Sequence, residues 1–228
     1  MCRMFGLLAA RPVAMHELLH DAPRSLRTLS REHADGWGIA FSRADDWSIQ
    51  RSTSCAARCA GFDALRDVTS QLVIAHVRRK TVGELALANT HPFRRGQFVF
   101  AHNGTIHAFA ALVAQTAPAH LAMLEGDTDS ERLFAFVLTK IDEQGDVARG
   151  VTEAIRVLRT IDQLGEANFL LSCGTRLYAY RHGRTLYTLQ RAEAQLVASE
   201  PLTDEPWQEV PERELVVLEA PSPALRAA

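Results

Sequence analysis

The second residue of the chain, Cys2, combines two groups that could carry out nucleophilic chemistry. Once Met1 is cleaved, which a small second residue permits, Cys2 carries both a thiol and a free α-amine. An α-amine with a pKa of about 7.7–8.0 can take the proton from the thiol and return it to a leaving group. No separate histidine base is then needed. The alternative is that Cys2 is a small apolar residue in a buried strand.

A short polar segment at the end of a predicted strand offers hydrogen-bond donors. Asn103 and Gly104 follow Ala101-His102, and an asparagine amide and a glycine N–H at a strand end can point at one oxygen atom. Two such donors stabilise the oxyanion of a tetrahedral intermediate. Asn-Gly is also a strong signal for a type I′ turn in a β-hairpin. A helical pattern, rather than a partner strand, follows this segment, which favours the donor interpretation.

Two charged segments could hold the charged ends of a small substrate. Arg78-Arg79-Lys80 ends a predicted buried strand, and an arginine guanidinium binds a carboxylate through two parallel hydrogen bonds. The segment 126–131, Gly-Asp-Thr-Asp-Ser-Glu, opens a predicted helix and could place a carboxylate against a substrate ammonium. The ordinary alternatives are a solvated charge run and acidic residues that complement the helix dipole. A metal site is not expected, because no glycine-centred calcium loop or histidine pair accompanies the acidic residues.

The composition argues against several classes of function. The 228-residue chain has a net charge of -2 and is 47% hydrophobic, which is enough for a sizeable core and unlike the basic composition of nucleic-acid binders. No apolar run reaches the roughly 20 residues that cross a membrane, and the N-terminus lacks the features of a signal peptide. We therefore expect a cytoplasmic protein with reduced thiols and neither a nucleic-acid nor a membrane partner. Cys55, Cys59 and Cys173 are expected to be structural, since C-x3-C without a second pair is poor zinc spacing.

The elements that position these residues are predicted from hydrophobic periodicity and turn residues. Strands are predicted at 2–9, 37–43, 47–53, 71–78, 97–102, 167–173, 176–182, 185–190, 194–199 and 214–219. Helices are predicted at 15–32 with a break near Pro23, at 62–70, from Thr128 to about 141 in a capping box with Glu131, and at 148–163. This order predicts an α+β fold in which helices pack outside two sheets, in a single domain over 1–228.

Six segments occur in an order that resembles a known enzyme family. They are Met1-Cys2-Arg3, His33-Ala34-Asp35-Gly36-Trp37-Gly38-Ile39, Ala75-His76-Val77-Arg78, Asn89-Thr90-His91-Pro92-Phe93, Ala101-His102-Asn103-Gly104 and Asp127-Thr128-Asp129-Ser130-Glu131. Each motif is weak by itself, but the six in order resemble the class II glutamine amidotransferases, and the short length resembles the stand-alone branch of that family. The resemblance implies an N-terminal nucleophile hydrolase fold, a four-layer αββα sandwich with two mostly antiparallel sheets.

The resemblance also implies a reaction and a set of site residues. The implied roles are nucleophile for Cys2, oxyanion hole for Asn103 and Gly104, carboxylate binding for Arg78, ammonium binding for Asp129 and lining of the substrate site for Thr81. Attack on the amide of glutamine or of another γ-glutamyl small molecule would give a thioester and release ammonia or an amine, and water would then hydrolyse the thioester. The reaction implies neither a metal nor an organic cofactor. The glucosamine-forming branch has a histidine where this chain has Val82, so substrate closure is not carried over from that branch.

Two sets of alternatives follow, one about whether the chain is catalytic and one about which molecule accepts the ammonia. A catalytically silent binding or regulatory subunit would be expected to lose part of the site, and the intact set argues against it. Ammonia could pass to a separate accepting subunit, or water could be the sole acceptor. The strands predicted after 167 are expected to finish the two sheets, and with Ala228 as the last residue we expect no room for a synthase domain. Together with Val82, this leads us to expect that the chain alone hydrolyses some γ-glutamyl amide better than glutamine.

Overall fold

The computed structural model describes residues 2–44 and 46–220. The expectations about Met1, about the end of the chain after 220 and about Asp45 in the turn between two strands lie outside these residues. Within the described residues the strands, numbered in chain order, are β1 Arg3–Ala14, β2 Trp37–Arg43, β3 Asp46–Ser52, β4 Thr69–Val77, β5 Phe93–Arg95, β6 Phe98–Asn103, β7 Asn168–Ser172, β8 Arg176–Tyr180, β9 Tyr187–Gln190, β10 Ala194–Ala198, β11 Gln208–Glu209 and β12 Leu215–Glu219.

The strands form two sheets. The larger sheet has the strand order β11-β9-β10-β1-β4-β2-β3, and the smaller has the order β12-β8-β7-β6-β5. Neighbouring strands are antiparallel throughout both sheets. β1 lies between β10 and β4 in the larger sheet, and β6 lies between β7 and β5 in the smaller one. The two predicted antiparallel sheets are therefore present.

The helices are short except for two. They are α1 Leu26–Leu29, α2 Ala60–Asp63, α3 Phe109–Val113, α4 Pro118–Leu121, α5 Asp129–Gln144 and α6 Val147–Leu158, with a π-helix at Glu17–Asp21 and 3-10 turns at Ala56–Arg58 and Leu87–Asn89. α6 ends before the predicted residue 163, because the Thr160 N–H donates to the Val157 carbonyl in a tighter closing turn.

The helix predicted over 62–70 is wrong beyond its first residues. α2 ends at Asp63, and β4 already begins at Thr69. The far end of β1 holds this segment in the larger sheet, since Ala14 lies opposite Thr69. Pairing with a strand that continues the sheet overrides the local helical pattern, and β-branched Thr69 favours the extended form.

Alternation along the strands divides the apolar interior into layers. In β1, Phe5, Leu7 and Ala9 join the cluster that packs under α1 and α2. The neighbouring Met4 and Leu8 join the cluster between the two sheets. A third cluster lies between the smaller sheet and the helices α5 and α6. The order of layers is therefore helix, sheet, sheet, helix, as predicted.

Candidate active site

The predicted site residues lie at the ends of four elements that meet around one pocket. The first residue of β1 pairs with the last residue of β4, so Cys2 and Arg78, which flank that pair, leave the sheet side by side. The pocket is small, with a cavity volume of about 20 Å³. It is lined by Cys2, Arg78, Arg79, Thr81, Val82, Asn89, His91, His102, Gly104, Thr128, Asp129 and Ser130. Asn103 is not among the lining residues and lies directly before Gly104, at the end of β6.

The thiol of Cys2 is half-buried and contacts the backbone of Arg79. Its Sγ accepts the Arg79 N–H at 3.3 Å and donates to the Arg79 carbonyl at 3.4 Å. Burial raises the pKa of the Cys2 thiol, while the Arg79 N–H and the charges of Arg78 and Arg3 act in the opposite direction. The thiol is therefore protonated at neutral pH and needs a base before it can attack a carbonyl carbon.

Arg78 is buried, whereas Arg79 and Lys80 are exposed. Its Nη1 donates to the Glu84 carbonyl at 3.0 Å and its Nη2 donates to the Val82 carbonyl at 2.9 Å. These two bonds hold the loop after β4 beside the pocket. A guanidinium has five N–H groups, so donors are left for a carboxylate. The solvated charge run describes Arg79 and Lys80 but not Arg78, whose carboxylate-binding role stays a prediction.

The loop after β4 also brings Thr81 and Val82 to the pocket. The Thr81 hydroxyl oxygen lies 3.4 Å from that of Thr105, which follows β6. Val82 contributes its backbone carbonyl to Arg78, as described above, and its side chain has no hydrogen-bonding group. The backbone of the loop, rather than a histidine side chain at position 82, therefore ties it to the site.

The end of β6 is not a β-hairpin turn. Asn103 pairs with Asn168 of β7, and the chain beyond it forms a bridge between Ile106 and Gly165. Gly104 is in close contact with Glu166, because a Cβ at Gly104 would lie 2.2 Å from the Glu166 carbonyl oxygen. Any larger residue at position 104 would force this backbone apart. The type I′ alternative is wrong, and the oxyanion role of Asn103 and Gly104 stays a prediction.

Asp129 is the first residue of α5 and is buried. Its Oδ2 accepts the N–H of Ile106 at 2.6 Å. This bond ties the helix to the segment after β6, so the carboxylate of Asp129 and the backbone of Gly104 share the pocket. Its ammonium-binding role stays a prediction.

Half of the predicted capping box at this helix is present. Thr128 accepts the N–H of Glu131 at 3.3 Å, but the Glu131 carboxylate does not return the bond. It accepts instead from the N–H groups of Glu125 and Gly126, at 2.9 and 2.7 Å, and from Arg95 at 2.7 Å. The reciprocal bond is lost because the preceding loop folds back over the first turn and takes both carboxylate oxygens.

Buried histidines surround the pocket, and the sequence analysis assigned them no role. The ring centroids of His76 and His91 lie 4.4 Å apart, and the nitrogens of His91 have no hydrogen-bond partner within the described residues. Burial lowers the pKa of His76 to about 3 and holds that of His91 well below its usual range. These rings are therefore neutral at pH 7. In the sequence, the only sign of these two buried histidines is that each is a polar residue within an otherwise apolar motif.

The described residues contain no group of three or more His, Cys, Asp or Glu side chains that could hold a metal ion. The thiols of Cys2, Cys55, Cys59 and Cys173 are free. In the same part of the chain, no helix is both long and apolar enough to cross a lipid bilayer.

Comparison with known proteins places this geometry in a family. Residues 1–195 match the family model of the class-II glutamine amidotransferases. The chain is 34% identical over 231 aligned positions to the gamma-glutamyl-hercynylcysteine sulfoxide hydrolase of Mycobacterium tuberculosis, over 95% of this chain and 92% of that protein.

Two solved structures show the same fold. A glutamine aminotransferase class-II domain protein from Silicibacter pomeroyi superposes with a TM-score of 0.68 at 24% identity, over 96% of this chain and 95% of that one. The glutamine phosphoribosylpyrophosphate amidotransferase of B. subtilis superposes with a TM-score of 0.71 at 19% identity, over 96% of this chain but only 47% of that one. The predicted N-terminal nucleophile hydrolase fold is confirmed. Since the family match spans most of the chain and includes every predicted site residue, the chain belongs to the class II glutamine amidotransferases, a family of enzymes.

Proposed function

We propose that this chain hydrolyses γ-glutamyl amides through a thioester on Cys2. The observation that carries the proposal is the convergence of Cys2, Arg78, Gly104 and Asp129 on one small pocket. A thiol, a guanidinium and a carboxylate are complementary to the three groups of a γ-glutamyl amide, which are the amide carbonyl carbon, the α-carboxylate and the α-ammonium.

In the proposed reaction, one proton moves from the Cys2 thiol to the Cys2 α-amine and then to the leaving amine. After removal of Met1, the α-amine of Cys2 takes the thiol proton, and the sulfur attacks the amide carbonyl carbon. The Asn103 side-chain amide and the Gly104 N–H donate to the resulting oxyanion. The carbon–nitrogen bond then breaks, and the leaving amine receives the proton from the α-ammonium of Cys2. Water attacks the thioester, the carbon–sulfur bond breaks, and glutamate leaves as the thiol regains its proton.

The base is required by the environment of the thiol. Burial raises the pKa of Cys2, so little thiolate is present at neutral pH. The histidines that line the pocket with Cys2, His91 and His102, are neutral because burial lowers the pKa of each. Burial and the charge of Arg3 likewise lower the pKa of His33 to about 4. An α-amine with a pKa of about 7.7–8.0 is better matched to the task.

We infer that water is the acceptor and that the useful product is the amine of a γ-glutamyl conjugate. The relative from Mycobacterium tuberculosis, named for hydrolysis of gamma-glutamyl-hercynylcysteine sulfoxide, aligns along 92% of its length. Val82, in place of the histidine of the glucosamine-forming branch, points in the same direction. The cytoplasmic location stays a prediction.

A substrate panel tests the proposal. Purified chain is given glutamine and several γ-glutamyl conjugates of amino acids and sulfoxides, and released glutamate, ammonia and amine are quantified. A conjugate should be cleaved faster than glutamine. If glutamine is the best substrate and turnover rises only with an added synthase, a separate ammonia-accepting subunit is the better answer.

Trapping of the intermediate tests the nucleophile. Acid-quenched enzyme should carry one glutamyl group on Cys2 by peptide mass spectrometry, and Cys2→Ala should carry none. Cys173→Ala, which changes a free thiol outside the pocket, is the matched control and should retain full activity. A wild-type chain that shows neither adduct nor product would be the catalytically silent alternative.

A further inference from the structure

His102, next to the end of β6, is buried and has hydrogen-bond partners on both ring nitrogens. Its Nε2 lies 2.9 Å from the Glu166 carbonyl oxygen, and its Nδ1 lies 2.8 Å from Ser130 Oγ. A carbonyl oxygen can only accept, so Nε2 carries the hydrogen. Burial lowers the pKa of His102 against the opposing charges of Asp129 and Glu166, and the nearby His76 is itself neutral. At pH 7 the ring is neutral, so Nδ1 accepts and Ser130 donates.

The single hydrogen of the Ser130 hydroxyl has two competing acceptors. Ser130 Oγ lies 3.5 Å from Asp129 Oδ1 but 2.8 Å from the His102 ring. The other oxygen of Asp129, Oδ2, already accepts the N–H of Ile106 at 2.6 Å. With the hydroxyl turned toward His102, Oδ1 is the oxygen of Asp129 left for a ligand in the pocket that Asp129 and Ser130 both line.

We propose that His102 is a positioning residue that holds the Ser130 hydroxyl away from Asp129, so that Asp129 Oδ1 is free to accept from the α-ammonium of a γ-glutamyl group. The inference rests on the proposed function, because it takes that ammonium as the ligand of Asp129. Without the imidazole acceptor, the Ser130 hydroxyl turns to Oδ1. The substrate ammonium must then displace a hydrogen bond to a carboxylate, which is stronger than one between neutral groups.

A double-mutant cycle separates this role from a structural one. His102→Phe keeps a planar ring but removes the acceptor, and the KM for glutamine should rise about tenfold, the order of one hydrogen bond to a charged group. Ser130→Ala removes the competing hydroxyl and should leave KM within about twofold of wild type. The double variant His102→Phe/Ser130→Ala should return to the KM of Ser130→Ala, while kcat changes by less than about threefold throughout.

A matched substrate shows that the effect concerns the ammonium. Glutaramate is glutamine without its α-amino group, so it makes no bond to Asp129. The kcat/KM for glutaramate should be the same in His102→Phe as in wild type. Two results would overturn the proposal: a tenfold rise in KM with Ser130→Ala alone, or a double variant as poor as His102→Phe. The second result would mean that the imidazole only supports the fold.

Two further measurements keep the test decisive. If His102→Phe does not fold by circular dichroism, Ser130→Ala still decides, since unchanged KM supports the proposal and a tenfold rise overturns it. Calorimetric titration with L-glutamate repeats the cycle without turnover. A wild-type chain that binds glutamate but cleaves no γ-glutamyl amide refutes the proposed function and leaves this comparison intact. A wild-type chain that neither binds glutamate nor cleaves any γ-glutamyl amide overturns both.

Discussion

Mild acid should destabilise this protein, because a histidine that stays neutral in the folded core becomes protonated in the unfolded chain, which stabilises the unfolded state. His76 lies in β4, is fully buried beside His91, and has its pKa lowered to about 3 by burial. In the unfolded chain the pKa of a histidine is about 6.5. Between these values the unfolded chain binds a proton that the folded chain does not. The free energy of unfolding is therefore unaffected by the protonation of His76 above about pH 6.5, and it falls progressively as the pH falls from 6.5 toward 3.

The size of the effect follows from the same two pKa values. Each pH unit between them costs about 1.4 kcal/mol for one histidine. From pH 7 to pH 5 the free energy of unfolding should fall by about 2 kcal/mol because of His76 alone. The result does not depend on the depth of the shift, provided that the pKa in the folded protein lies below 5. That loss is a large fraction of the roughly 5–15 kcal/mol by which domains are stable.

Urea unfolding at pH 7, 6 and 5 measures the effect. His76→Phe keeps a buried planar ring but cannot titrate, so its free energy of unfolding should depend less on pH, by about 1.4 kcal/mol per unit between 6.5 and 5. His16→Gln is the matched control, because His16 is exposed and lacks the burial that causes the effect. If the free energy of unfolding depends equally on pH in wild type and His76→Phe, the reasoning is refuted, since His76 must then accept a proton in the folded protein.

Two further predictions concern the site and the helix that begins it. Asn103→Ala should lower kcat for a γ-glutamyl amide by roughly 10²–10³, the cost of one oxyanion donor, and a steady-state glutamate-release assay that finds kcat unchanged would remove Asn103 from that role. Glu131→Gln should lower the free energy of unfolding by about 3 kcal/mol, because Glu131 is buried and its carboxylate accepts from two backbone N–H groups and from Arg95. Glu143→Gln, on the exposed face of α5, is its control in the same urea titration and should change stability by less than about 1 kcal/mol.

The sequence was informative about the site where a functional residue stands at the end of a strongly patterned element. The apolar strand that ends at Arg78 and the helix that opens at Asp129 were both predicted close to their observed positions. Since β1 and β4 are adjacent and antiparallel, the start of one and the end of the other must meet. The segment 62–70 failed for the opposite reason. Its local pattern is helical, and only pairing with the long β1 makes its end a strand.

Other parts of the site leave almost no signal in the sequence because backbone groups form them. The carbonyl of residue 166 accepts from His102, and those of Val82 and Glu84 accept from Arg78. Any residue supplies the same carbonyl, so no residue type marks these positions.

One neighbour does record the backbone contact. Gly104 tolerates no Cβ, because that atom would lie 2.2 Å from the Glu166 carbonyl oxygen. Sequence analysis offers two reasons for the Asn-Gly pair, a hairpin turn or a pair of hydrogen-bond donors. The structure adds a third reason for the glycine, which is its close contact with Glu166, whose carbonyl accepts from His102. If that carbonyl fixes His102, and His102 fixes the Ser130 hydroxyl, then the glycine also helps to set the oxygen of Asp129 that a substrate ammonium would meet. The order of motifs identifies the family, whereas the hydrogen-bond directions that prepare the pocket depend on a backbone contact visible only in the folded chain.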